Sequence, residues 1–356
     1  MIRLTAGNLL DYATDCEAII NTVNTVGVMG KGIALQFKKA YPKNYDAYRA
    51  ACKRGEVKPG QMFVFETGFA FNPRFIINFP TKGHWKSRSK LEDVQTGLED
   101  LIRVIAARGI TSIAVPPLGC GLGGLDWRVV RPMIEAAFAQ VPEVETHVFE
   151  PKGAPDPTTM PNRTKRPNMT PTIAKVLGLI RSYFQAELDY SCSLLEVHKL
   201  AYFLDQAGDT ALKLSYHKDR YGPYSDPLKQ VLNRMDGHFI QGLGDGRTNP
   251  DAPITLLDEA VDAARDTLRG DPGNTQRMRR VQNLIDSFQT PFGMELLATV
   301  HWVAIHEGAS TADEVIARVH AWEHGSDWPV RKQHLFKDQH IRIAWDRLVD
   351  QEWIAA

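Results

Sequence analysis

Cysteine is scarce in this sequence: four residues, at positions 16, 52, 120 and 192, stand far apart without any CxxC pair. That spacing excludes a disulfide framework and a zinc ribbon, and it suits a reducing compartment. Long apolar runs are missing as well; none approaches the roughly 18–20 residues needed to span a bilayer. The opening Met1-Ile2-Arg3-Leu4 is not followed by the apolar stretch of a secretory leader. The expectation is a cytoplasmic protein with no membrane segment, no metal and no cofactor. Net charge is zero, 42 Lys+Arg against 42 Asp+Glu, but it is unevenly spread. Residues 1–150 carry 18 basic against 15 acidic side chains and residues 151–170 carry four against one, which leaves an acidic surplus of six over 171–356. A mildly basic front suits an anionic ligand, whereas the acidic back argues against direct nucleic-acid binding by that half. No internal repeat is visible. The pattern GxxxxGK[ST] is absent, which excludes a Walker-type nucleotide triphosphate site, and the first glycine loop lacks the Rossmann pattern GxGxxG.

What is present is enough for two ordered domains: 356 residues, 43% hydrophobic, seven Trp. Ala18-Ile19-Ile20 reads as a buried parallel strand. It runs into Asn21-Thr22-Val23-Asn24 and then a loop with glycines at 27, 30 and 32 before an apolar helical start at Ile33. Pro42 interrupts the helical region that follows. Met62-Phe63-Val64-Phe65 and Arg74 to Phe79 read as strands around an Asn72-Pro73 turn, and Leu91, Val94, Leu98, Leu101, Ile102 and Ile105 place an amphipathic helix over about 89–108. Ser112 to Val115 is a strand, a helix follows Asp126 with a break expected at Pro132, and Thr146 to Phe149 closes the domain. Strands alternating with helices predict an α/β fold with a largely parallel central sheet. Six prolines between 151 and 171, with few large apolar residues, mark a linker, so the expected domains are 1–152 and 172–356 with a Pro-rich connection over 153–171. The second domain reads as mainly helical. Its histidines at 301, 306, 320 and 324 lie at helical spacings without a completing ligand set, and they read as ordinary helix residues.

A second glycine loop, Pro116-Pro117-Leu118-Gly119-Cys120-Gly121-Leu122-Gly123-Gly124, directly follows a strand, and Asp126 stands ready to cap the next helix. Ligands of open α/β sheets bind beyond the carboxyl ends of the strands. Two glycine loops there offer backbone amides from two sides with no bulky side chain between, which is what a pyrophosphate-containing ligand requires. Lys82, just past the end of another apolar strand, would face the same crevice. Cys120 has no obvious His or Asp base beside it, so packing suits it better than nucleophilic attack.

Three segments carry a resemblance. Thr5-Ala6-Gly7-Asn8-Leu9-Leu10, Val23 to Ala34, and Pro117 to Gly123 are similar, in order over about 1–150, to ADP-ribose-binding macrodomains. Within that family the chain looks closest to the terminal ADP-ribose protein glycohydrolases and, more narrowly, resembles the glycohydrolase antitoxins of DarTG toxin–antitoxin systems. The resemblance implies a three-layer α/β/α sandwich with a mixed central sheet, followed by a helical toxin-binding domain. It implies an enzyme that hydrolyses ADP-ribose from thymidine in single-stranded DNA and so reverses a DarT-type toxin. The alternatives are a non-catalytic ADP-ribose reader and a glycohydrolase of ADP-ribosylated protein carboxylates. It implies ADP-ribose contacts at Gly7, Asn8, Leu9, Ile20, Asn21, Thr22, Asn24, Gly30, Lys31, Gly32, Ile33, Thr81, Leu118, Gly119, Cys120, Gly121, Leu122 and Gly123, with Lys82 catalytic. A lysine there acts either as a free amine attacking the anomeric carbon or as a cation that stabilises the leaving group. Gly123 stands where some terminal-glycohydrolase relatives carry an acidic residue, so a lysine–aspartate mechanism does not transfer unchanged. Asn8 stands where many macrodomains set an aspartate against adenine. The run Lys82, Lys86, Arg88, Lys90 with Trp85 is either a solvated basic loop or a DNA contact in which Trp85, Lys86 and Arg88 take part. In the second half, His198 to Leu204 and Asp219 to Ser225 resemble Panacea-type antitoxin domains, which implies toxin binding.

Overall fold

The computed structural model describes residues 1–186, 192–209, 212–246, 249–322 and 331–355. The chain divides into two compact units, Met1–Lys165 with Gly244–Arg247, and Arg166–Leu243 with Thr248–Ala356.

The first unit is built on six strands, β1 (Ile2–Thr5), β2 (Ala18–Asn24), β3 (Phe63–Glu66), β4 (Phe75–Lys82), β5 (Ser112–Val115) and β6 (Glu145–Phe149), in the order β1-β6-β5-β2-β4-β3. Neighbours run parallel except β3, which is antiparallel to β4, so the sheet is mixed. Helices α1 (Gly32–Ala40) and α2 (Pro42–Lys53) lie on one face, and α3 (Leu91–Arg108) and α4 (Trp127–Phe138) on the other. The apolar run in β2 has no polar alternation because both faces are covered. Ala18 and Ile20 pack with Val94, Leu98 and Ile134, while Ile19 packs with Phe37 and Ala40. The result is the three-layer α/β/α sandwich.

The break expected at Pro132 does not occur, and α4 runs through it. A proline in a helix interior costs about 3 kcal/mol through a lost hydrogen bond and a ring clash. Here the buried face formed by Val130, Ile134, Ala137 and Phe138 holds the helix together regardless. The start is fixed by Asp126, whose side chain accepts from the Arg128 amide at 2.9 Å. Within the proline-rich stretch, Arg163 donates its amide to Lys39 O at 2.8 Å, so residues up to Lys165 lie with the first unit.

The second unit carries α5 (Pro171–Ala186), α6 (Leu194–Gln206), α7 (Asp226–Met235), α8 (Asp258–Leu268), α9 (Pro272–Ile285), α10 (Pro291–Glu307), α11 (Ala312–His320), α12 (Arg331–Leu335) and α13 (Asp338–Asp350), with only short strands besides. The expectation of a mainly helical second half agrees with this. Its two motif segments meet inside: the His198 ring stacks on Tyr224 at 4.6 Å, and Lys199 Nζ donates to Pro223 O at 2.7 Å. Both side chains are buried, so they build the core of the unit. His301 bonds Tyr202 and His320 bonds Phe336 O, as ordinary helix residues do; His324 lies outside the described residues.

Candidate functional site

Three adjacent strands, β5, β2 and β4, end on the same side of the sheet. The second glycine loop leaves β5, the first leaves β2, and Lys82 is the last residue of β4. The loops approach one another there. A Cβ built on Gly32 would stand 3.4 Å from Leu122 Cδ1, across from the start of α1.

The first loop is shaped from beneath by Asn24. Its Oδ1 accepts from the Val26 and Val28 amides at 3.0 and 3.3 Å, and its Nδ2 donates to Val28 O at 2.6 Å. The Tyr48 hydroxyl donates to Asn24 O from α2. Asn24 is therefore engaged in folding the loop, with its amide committed to backbone. Asn21 is fully buried as well, and its Nδ2 donates to Asn78 Oδ1 at 3.0 Å in an amide chain that continues to Asn44. Ile20 faces the core between β2 and α3, and Thr22 is half-buried beside it on β2. At the loop's far end Gly30 and Lys31 are exposed, and Ile33 is half-buried. The Gly32 amide, first in α1, donates to Asp245 O at 2.7 Å, and Lys39 Nζ donates to Gly244 O at 3.1 Å. A short return of the chain thus completes this end of the first unit, and sequence reading gives no sign of it.

The second loop closes on itself through bonds from Cys120 N to Pro117 O, Gly124 N to Gly121 O and Leu125 N to Gly119 O, each at 3.1 Å. Gly119 takes φ +70°, where a side chain would be strained. Leu118 is buried, Leu122 is exposed, and a Cβ on Gly121 would meet open space. Cys120 Sγ donates to Leu118 O at 3.4 Å, and burial pushes its thiol up to about 11, which makes it a poor nucleophile.

Lys82 lies between the loops. Its Nζ donates to Leu122 O at 3.2 Å, and burial lowers its pKa. The next residue ties it to the other loop, because Gly83 O accepts from both the Thr25 amide at 3.1 Å and its hydroxyl at 2.9 Å. Thr81 is buried in β4 just before it. Residues 83–89 then run across the mouth. Trp85 is half-exposed, with the His84 ring 5.3 Å away and Lys86 Nζ 5.0 Å from its own ring; Arg88 is exposed on the same segment. His84 Nδ1 accepts from the Lys86 amide at 3.2 Å. Ser89 ends the segment with its amide on Gly123 O at 3.0 Å. At the end of β1, Gly7 is exposed with φ +120°, and Asn8 caps the short helical turn Leu9–Tyr12 by accepting from the Leu10 amide at 3.2 Å. Leu9 is buried beneath it. Among the described residues no group of three or more His, Cys, Asp or Glu could hold a metal ion.

Sequence reasoning did not find Ser89, Tyr48 or Asn78. Each supports a loop from a position remote in sequence, and none carries a local motif.

The Macro domain family model matches residues 20–134. A DNA ADP-ribosyl glycohydrolase of Thermus aquaticus is 43% identical over 349 residues, covering 98% of this chain and 93% of the relative. The DNA ADP-ribosyl glycohydrolase of Mycobacterium tuberculosis is 43% identical over 361 residues, covering 98% of this chain and 99% of that one. Among solved structures, the macrodomain of Mycobacterium tuberculosis DarG is 55% identical and covers 43% of this chain and 99% of that one, with a TM-score of 0.42.

Proposed function

This chain belongs to the DNA ADP-ribosyl glycohydrolase family, and from that premise we propose that its first unit releases ADP-ribose from thymidine in single-stranded DNA, with Lys82 at the reacting carbon. It is a hydrolase, and it is the antitoxin partner of a DarT-type toxin. The observation that carries the residue assignment is the place of Lys82: half-buried, between two glycine loops, with a neutral carbonyl as its hydrogen-bond partner. Burial disfavours the ammonium, so the free amine is within easier reach than in a solvated lysine. In the amine route the Nζ lone pair attacks the anomeric carbon, and the bond to the thymine nitrogen breaks with its electrons going to the base. The attacking nitrogen's proton passes to that base. The ribose ring then opens, its C–O bond breaking as Nζ forms a protonated imine. Water adds to the imine carbon, one of its protons passes to Nζ, the C–Nζ bond breaks to leave the ribose aldehyde, which recloses, and the lysine amine is restored. The glycine loops would hold the pyrophosphate on backbone amides throughout. Trp85 would stack on a base, while Lys86 and Arg88 would meet phosphates.

The test is release of ADP-ribose from a thymidine-ADP-ribosylated oligonucleotide by the full chain, with and without Lys82→Ala. Release lost in the variant, with ADP-ribose binding retained, supports the assignment. Borohydride trapping of an adduct on Lys82 separates the amine route from a purely electrostatic one. No release from the unaltered protein, with release from an ADP-ribosylated carboxylate, would move the substrate to protein.

The second unit is the proposed toxin-binding part. The acidic surplus of residues 171–356 suits a partner whose nucleic-acid cleft is basic. Asp258→Lys with Asp262→Lys, on the exposed side of α8, should weaken toxin binding; unchanged affinity in both low and high salt would sink the electrostatic reading.

A further inference from the structure

Ser89 is buried beneath the second glycine loop, at 6% exposure, and its hydroxyl makes no hydrogen bond. A buried, unpaired hydroxyl is costly to keep, and replacing it by an apolar group of the same shape tends to be neutral or stabilising. The position of this hydroxyl is specific. A Cβ built on Gly123 would lie 2.3 Å from Ser89 Oγ and 2.3 Å from Gly119 O, so the two oxygens are no more than twice that distance apart. Gly119 O already accepts from the Leu125 amide, and a carbonyl oxygen has a second lone pair to offer. A movement of roughly 2 Å or less brings the hydroxyl within O–H···O bonding range of it.

The backbone of Ser89 is tied to the same loop. Its amide donates to Gly123 O, the carbonyl next to Leu122 O, which holds Lys82. The segment it ends is fixed at the other side by Gly83 O on Thr25, in the first loop. Residues 83–89 therefore bridge the two glycine loops, and Ser89 is the pin at the second.

We propose that Ser89 is a positioning residue for the second glycine loop: when an anion draws residues 119–123 inward, the Ser89 hydroxyl bonds Gly119 O and holds the loop in its closed form. This rests on the reading of the crevice as the ADP-ribose site. The bond couples two events. Seating the pyrophosphate on the loop amides also fixes the end of the segment that carries Trp85. The same crowding keeps position 123 glycine, because any side chain there meets both Gly119 O and Ser89 Oγ.

The experiment compares the full-length protein with Ser89→Ala and Ser89→Cys. ADP-ribose binding is measured by calorimetry, thermal unfolding is followed with and without ADP-ribose, and kcat and KM are taken on a modified oligonucleotide. The expected result is a melting temperature unchanged or raised in Ser89→Ala without ligand. ADP-ribose affinity falls roughly three- to tenfold, with KM rising alike and kcat and its pH profile unmoved; Ser89→Cys lies between. Equal affinity in Ser89→Ala and the unaltered protein overturns the proposal. So does a lower melting temperature without ligand, which would make the residue a structural support only. If the unaltered protein itself fails to bind ADP-ribose, the site reading falls first, so the two failures are distinguishable.

Discussion

The engagement of Asn24 inside the first glycine loop makes a prediction that separates two roles. In Asn24→Ala the loop loses the acceptor for the Val26 and Val28 amides and the donor to Val28 O. Each such bond contributes about 1 kcal/mol net. Val28 is exposed, so its carbonyl finds water; the Tyr48 hydroxyl loses its longer contact to Asn24 Oδ1 at 3.3 Å but keeps its bond to the Asn24 backbone carbonyl. The local opening free energy of residues 25–31 should therefore fall by about 2–3 kcal/mol, a roughly 30- to 150-fold loss of amide protection. Hydrogen exchange read by mass spectrometry on peptides covering 24–31 measures this directly, without requiring two-state unfolding of a two-unit chain. Asn24→Asp keeps the acceptor but sets a carboxylate oxygen against Val28 O, so it should keep only part of the protection. ADP-ribose affinity falls in Asn24→Ala as a consequence of the loosened loop. Full protection in Asn24→Ala together with lost affinity would refute this account, because the side chain would then be working on the ligand.

Further outcomes follow from the packing and titration of single groups. Gly97→Ala in α3 gains about 1 kcal/mol of helix propensity yet should lower the melting temperature, since its Cβ would stand 2.3 Å from the ring of buried Phe79. Phe79→Leu in the same chain should restore part of the loss. Cys120, with its thiol pushed up to about 11, should react with iodoacetamide at pH 8 about a hundredfold more slowly than a free cysteine, as followed by peptide mass spectrometry. Lys199 is fully buried and lowered to about 7 by that burial. Between that value and its ordinary value of about 10.4, the unfolded chain carries a proton the folded one lacks, so stability rises with pH. Lys332, lowered to about 8, adds in the same direction. The unfolding midpoint of the second unit should rise from pH 7 to about 8.5, and Lys199→Met should flatten that rise.

Much of the first unit was readable because its signals are local. Ala18-Ile19-Ile20 is apolar throughout, and such a run needs a sheet covered on both faces. Pro42, two residues past the end of α1 at Ala40, is the first residue of α2. The glycine loops announce themselves by composition. What escaped depends on partners distant in sequence. Nothing near Pro132 says that packing will outweigh a missing helical hydrogen bond. Asn24 looks like any amide at a strand end until Val26 and Val28 are seen folding back onto it. Ser89 sits in a run of charged residues, and only the proximity of Gly119 and Gly123 gives its hydroxyl meaning. In the second unit the motif residues His198 and Lys199 proved to be interior, since helical spacing alone does not say which face of α6 is covered.

The bond from the Gly32 amide to Asp245 O also sets an order of events during synthesis. The body of the first unit is complete in sequence once Lys165 is added, but Gly246 lies 81 residues further on. At a synthesis rate of roughly 5–20 residues per second, that interval is roughly 4–16 s. For that time the sandwich can fold while the first amide of α1 and the Lys39 ammonium still lack the carbonyls they later hold. The nascent protein thus has its glycine loops before the first amide of α1 can meet Asp245 O, a carbonyl that belongs to the first unit but is synthesised between segments of the second.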